Sequence, residues 1–134
     1  MITLFENEKI AINIDNNKSL VEINAKQIIE NREIIQQLLN IVKEHLKNVS
    51  ADKIVFRLDD YYSVGDETVL FDDFIPFLGG LGVKTIAIVR GNDQRAKIFF
   101  EELGNYLNPV KKQYDIQSKQ FQTKNNCYRW IDSI

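Results

Sequence analysis

The sequence predicts a small α/β domain, with about four helices on a mixed sheet of five or six strands. Two observations predict it. The first is a pair of apolar, β-branched runs, residues 53–58 and 83–89, each followed by a helix signal. Such alternation implies parallel strands joined by right-handed helical crossovers. The second is the N-terminal stretch, where apolar and polar residues alternate around a turn cluster, which adds an antiparallel hairpin to the sheet.

Each element has its own signal. Ile2 and Leu4, then Ile10, Ile12 and Ile14, follow the period of two of a half-buried strand. Asp15-Asn16-Asn17-Lys18 is a turn cluster, because Asn and Asp tolerate left-handed backbone. Leu20, Val21 and Ile23 return as the second arm of the hairpin. Residues 31–47 form an amphipathic helix: Ile34, Ile35, Leu38, Leu39, Ile41, Val42 and Leu46 recur at spacings of three and four, and Lys43 lies on the polar face. Residues 53–58 make a buried central strand that ends in Asp59-Asp60. Ser63 with Asp66 fits a capping box, opening a helix along Val69, Leu70, Phe74, Phe77 and Leu78 that Gly79-Gly80 stops. Residues 83–89 are the second buried strand and 93–103 a third helix, closed by Gly104. A short strand at 116–121 and a last helix at 123–134 complete the order, with Cys127, Trp130, Ile131 and Ile134 on one stripe.

Composition narrows the function. A length of 134 residues fits one domain spanning 1–134. Lys and Arg total 17 against 19 Asp and Glu, a net charge of −2, which argues against a nucleic-acid or anionic-membrane binder. The single cysteine can close no internal disulfide and supply no thiolate cluster. No run approaches the roughly 18 apolar residues of a spanning helix, and from its acidic start no secretory leader is expected. The expected setting is cytoplasmic, and a homodimer is compatible with this composition.

The order of elements and their ends resemble the STAS/SpoIIAA-like superfamily, the fold of anti-sigma-factor antagonists, related in shape to the lipid-binding Sec14 fold. The resemblance rests on residues 53–60, on Gly79-Gly80-Leu81-Gly82-Val83-Lys84, on Thr85-Ile86-Ala87-Ile88-Val89-Arg90-Gly91-Asn92, and on the closing strand and helix with Phe121 and Trp130-Ile131. It covers roughly residues 10–134. The antagonist domains carry a phosphorylatable Ser at the start of the helix after the central strand. Here that region reads Asp59-Asp60-Tyr61-Tyr62-Ser63-Val64-Gly65-Asp66-Glu67, with Ser63 its only serine among acidic neighbours. The sequence is therefore closer to the SpoIIAA-like branch that lacks this switch.

The resemblance implies a non-catalytic domain that binds a protein partner. The expected contact residues are Asp59, Asp60, Tyr61, Tyr62, Ser63 and Asp66, with the helix that follows. Tyrosines beside charge suit a protein interface. A second candidate is Arg90, Gly91, Asn92 and Arg95, a strand-to-helix loop whose N–H groups and arginines suit an anion, although Gly91 and Asn92 also read simply as a turn and a cap. The alternative function is a Sec14-like domain holding a small apolar or anionic ligand against Phe71, Phe74 and Phe77. The acidic residues Asp59, Asp60, Asp66, Glu67, Asp72 and Asp73 suggest, less strongly, a Mg²⁺-dependent enzyme or a receiver-like phosphoacceptor; their simpler reading is a solvated surface. Neither a metal nor a cofactor is expected. His45 borders the apolar stripe of its helix with no catalytic partner in view, and Cys127 reads as a buried, inert thiol.

Overall fold

The computed structural model describes residues 1–26, 32–57, 74–90 and 113–134, with the backbone alone for 32–35. Six strands form one sheet in the order β1 (Ile2–Glu6), β2 (Ile10–Asp15), β3 (Leu20–Ala25), β4 (Lys53–Arg57), β5 (Thr85–Val89) and β6 (Gln117–Phe121). The first three strands pair antiparallel, and β3 to β6 pair parallel. The mixed sheet expected from the sequence is thus present, with the hairpin strands at one side and the parallel strands at the other. Three helices are described: α1 (Arg32–Leu46), α2 (Ile75–Gly80) and α3 (Lys124–Asp132). The helix expected at 93–103 lies outside the described residues. Among the described residues, no helix is long and apolar enough to cross a membrane.

Strand alternation sends side chains to two cores. Ile10, Ile12, Ile14, Val21, Ile23, Ile54, Phe56, Ile86 and Ile88 meet Leu39, Val42 and Leu46 of α1 and Ile75 and Leu78 of α2. The intervening Leu20, Val55, Ala87 and Val89, with Phe121, meet Cys127 and Ile131 of α3. Helices therefore cover both faces, which is why β4 and β5 read as continuous apolar runs rather than alternating ones.

Several local expectations are corrected. The left-handed residue of the β2–β3 turn is Ser19, at φ 51°, and not an Asn. Asp15 Oδ1 instead accepts from the N–H groups of Asn17 and Lys18, an Asx turn that holds the corner. Gly79 and Gly80 do not stop α2 but lie within it. The chain turns at Gly82, whose φ of 87° suits a residue without a Cβ. There the Val83 N–H donates to the Leu78 carbonyl and the Gly82 N–H to the Gly79 carbonyl, a Schellman closure with Leu78 and Val83 both buried. Gly79 has a different cause. A Cβ there would lie 2.5 Å from Cδ1 of Tyr114, so the ring occupies the space a side chain would need. Lys43 is not on an open polar face, since its Nζ stands 5.6 Å from the centre of the Phe77 ring. Ile134 leaves the stripe of the last helix and is 56% exposed, because α3 ends at Asp132.

Candidate functional site

The four parallel strands end together. Asn24, Arg57, Val89 and Phe121 stand in one row across β3, β4, β5 and β6. The carboxyl edge of a parallel sheet is where open α/β folds hold their ligands, because the connecting segments diverge there. Both sequence-predicted segments start at this edge, one from β4 and the other from β5, which are paired neighbours. Asp59, Asp60, Tyr61, Tyr62, Ser63 and Asp66, the acidic residues Glu67, Asp72 and Asp73, and Gly91, Asn92, Arg95 and Phe71 lie outside the described residues.

Arg90 is the described member of the predicted set. It directly follows β5, and its backbone N–H donates to the Phe121 carbonyl at 2.9 Å, which ties it to the end of β6. The residue is half-buried. Its Nε is removed from solvent and has no hydrogen-bond partner.

A second polar group escaped the sequence reading. Glu22 lies in β3 and is only 5% exposed. Tyr128 of α3 donates its hydroxyl to Glu22 Oε2. Asn13 Nδ2 of β2 donates to Oε1 at 3.2 Å, and Thr3 Oγ1 of β1 donates to Asn13 Oδ1 at 2.9 Å. The relay crosses three strands and one helix, and both oxygens of the carboxylate are engaged. Burial pushes the Tyr128 phenol up, and the Glu22 carboxylate that it bonds adds to this. Burial also pushes the neighbouring Cys127 thiol up to about 11, with Glu22 again adding and Arg57 opposing. A thiol held protonated is a poor nucleophile, so Cys127 is the inert core residue that the sequence suggests. The missed signal was a lone acid inside an apolar strand. It reads as solvated until α3 is known to cover that face.

The other aromatic and titratable candidates are packed. Phe74 is 0% exposed, edge-on to Phe56 at 5.7 Å between ring centres and stacked on Phe77 at 6.1 Å. It therefore builds core rather than lining a ligand space. His45 lies against the Phe5 ring at 4.8 Å, joining α1 to β1.

No family model and no curated protein matches the chain. Solved structures do. An uncharacterised protein of the DUF3478 family with a SpoIIAA-like fold, from Shewanella loihica, matches with a TM-score of 0.56 at 16% identity, over 95% of this chain and 97% of its own. The anti-sigma factor antagonist SpoIIAA in its unphosphorylated form matches with a TM-score of 0.60 at 12% identity, over 93% of this chain and 97% of its own. The fold is SpoIIAA-like. At these identities the likeness concerns architecture alone, and shared architecture leaves function to be argued from the site.

Proposed function

We propose that this protein is a non-catalytic binding domain of the STAS/SpoIIAA type, which takes a protein partner through the segment after β4 and the helix that follows. The observation that carries this reading is the SpoIIAA-like fold, which extends over nearly the whole chain. One of the two matched structures is an anti-sigma factor antagonist, a name that describes action on a protein. The described titratable side chains that sequence chemistry would nominate support a non-catalytic role. Glu22 and Tyr128 are consumed by their mutual hydrogen bond, Cys127 is buried and protonated, and His45 packs on a ring. Within the proposed contact, Tyr61 and Tyr62 are the anchors and Asp59, Asp60, Ser63 and Asp66 the polar surround, the usual division of an interface.

Site-specific photocrosslinking in the native host tests this. A photoreactive phenylalanine derivative replaces Tyr62 in one variant and the exposed Gln37 of α1 in another. The expected result is one partner captured from position 62 and none from 37. With that partner purified, Tyr62→Ala should weaken the complex by about 2 kcal/mol or more, close to thirtyfold. Capture from position 37 alone, or full affinity in Tyr62→Ala, overturns the reading.

A further inference from the structure

We propose that Arg90 is the receptor for an oxyanion, a phosphate or carboxylate group, bound at the carboxyl edge of β5. Among the described residues, its Nε is the one buried side-chain nitrogen or oxygen without a hydrogen-bond partner. An unpaired buried donor is costly, and more so on a charged group, so native proteins leave few without a reason. A guanidinium cannot lose its proton to escape that cost. What answers it is an acceptor, and the positive charge favours an anionic one. Nε–H and a neighbouring Nη–H form one edge of the guanidinium fork, whose spacing matches two oxygens of a phosphate or carboxylate.

The position supports the same conclusion. Arg90 stands one residue beyond β5, at the edge where parallel sheets hold ligands, and its backbone N–H is fixed on the Phe121 carbonyl. The guanidinium is thus carried on the rigid end of a central strand rather than on a free loop. Ile86, Ala87, Ile88 and Val89, which precede it, are all buried. The Nε side of the guanidinium is removed from solvent, so its charge is weakly screened there, which strengthens its attraction for an anion bound on that side. The inference stands apart from the partner-binding proposal, since a failed crosslink at Tyr62 would leave it unchanged.

Thermal unfolding of the full chain with inorganic phosphate or acetate, against sodium chloride at matched ionic strength, is the test. Arg90→Gln removes the charge and the fork, Arg90→Lys keeps the charge without the fork, and Arg129→Gln removes an exposed arginine elsewhere. The wild type and Arg129→Gln should show a saturable rise in Tm of several degrees. Arg90→Gln should show none, and Arg90→Lys a weakened one. A rise with phosphate assigns the ligand to that group, and one confined to acetate assigns it to a carboxylate. In chloride alone, Arg90→Gln should melt at or above the wild-type temperature, because it deletes an unpaired buried donor. An equal rise in Arg90→Gln, no rise in any variant, or a large drop in Tm of both Arg90 variants in chloride would overturn the proposal.

Discussion

The Tyr128 hydroxyl on α3 donates to the Glu22 carboxylate on β3, a bond between residues 106 positions apart in sequence. It fastens the last helix to the hairpin side of the sheet, while Cys127 and Ile131 fasten it to the parallel side. Removing one partner of a buried charged bond leaves the other unsatisfied. Tyr128→Phe should therefore cost about 1.5–3 kcal/mol. Glu22→Ala should cost more, since it also strands Asn13, and Glu22→Gln less. In a double-mutant cycle by urea unfolding, the pair should couple by about 0.5–3 kcal/mol. Strict additivity would show that the bond contributes nothing.

The same cluster sets an alkaline limit. Burial raises the Cys127 thiol from 9.0 to about 11, and raises the Tyr128 phenol as well. Both groups are acids whose neutral form the fold favours. Their contribution is complete below their ordinary values and is lost as pH climbs through the raised ones. Unfolding free energy should therefore fall from about pH 9 towards about pH 11. Cys127→Ala should start lower at pH 7 but decline less steeply over that window. Parallel urea-midpoint curves for wild type and variant would refute the assignment.

Much of this was legible in the sequence. Period-two alternation located the hairpin strands, continuous apolar runs located β4 and β5, and a period of three to four located α1, because an element shows apolar residues on each face that it buries. Contacts between distant segments were not legible. Glu22 alternates with Val21 and Ile23, and the same pattern would describe a solvated acid; only the packing of α3 makes it buried. Lys43 is polar by composition, yet its ammonium sits over Phe77. Gly79-Gly80 resembles a helix stop, whereas the stop is Gly82 and the need at Gly79 comes from Tyr114. For the site, the strand-end position of Arg90 could be read from the sequence, but its unpaired Nε required coordinates.

The three glycines around α2 should accordingly respond differently. Gly79→Ala drives a methyl into the Tyr114 ring and should cost about 1–3 kcal/mol. Pairing it with Tyr114→Ala should recover part of that loss, because the obstruction is removed. Gly82→Ala should destabilise through its left-handed backbone by about 1 kcal/mol or more. A Cβ on Gly80 would meet nothing, so Gly80→Ala should stabilise by about 0.5–1 kcal/mol. Urea midpoints in the order Gly80→Ala, wild type, Gly82→Ala would confirm the assignment of the turn, and a reversed order would refute it.

Helix α3 should open as a local unit, with Cys127 as its reporter. Nine residues are too few for a helix to stand alone in water. What holds it is the Thr123 cap on the Asn126 N–H, the buried Cys127 and Ile131, the Tyr128–Glu22 bond, and an exposed ion pair from Lys18 to Asp132 at 2.8 Å. A thiol reagent can reach Cys127 only when this helix lifts, so in the fast-reclosing regime the labelling rate follows the opening equilibrium. Thr123→Ala removes a cap contributing about 0.5–2 kcal/mol. Labelling should then accelerate by about two- to thirtyfold, at a factor of ten per 1.4 kcal/mol. Tyr128→Phe should accelerate it comparably. Lys18→Ala should change it little, since exposed ion pairs contribute about 0–1 kcal/mol. Amide exchange in β4 and β5 should stay slow in all three variants, because those strands lie in both cores. Labelling as fast as that of a free thiol in the wild type, or β4 and β5 exchanging in step with Cys127, would show that α3 has no opening of its own.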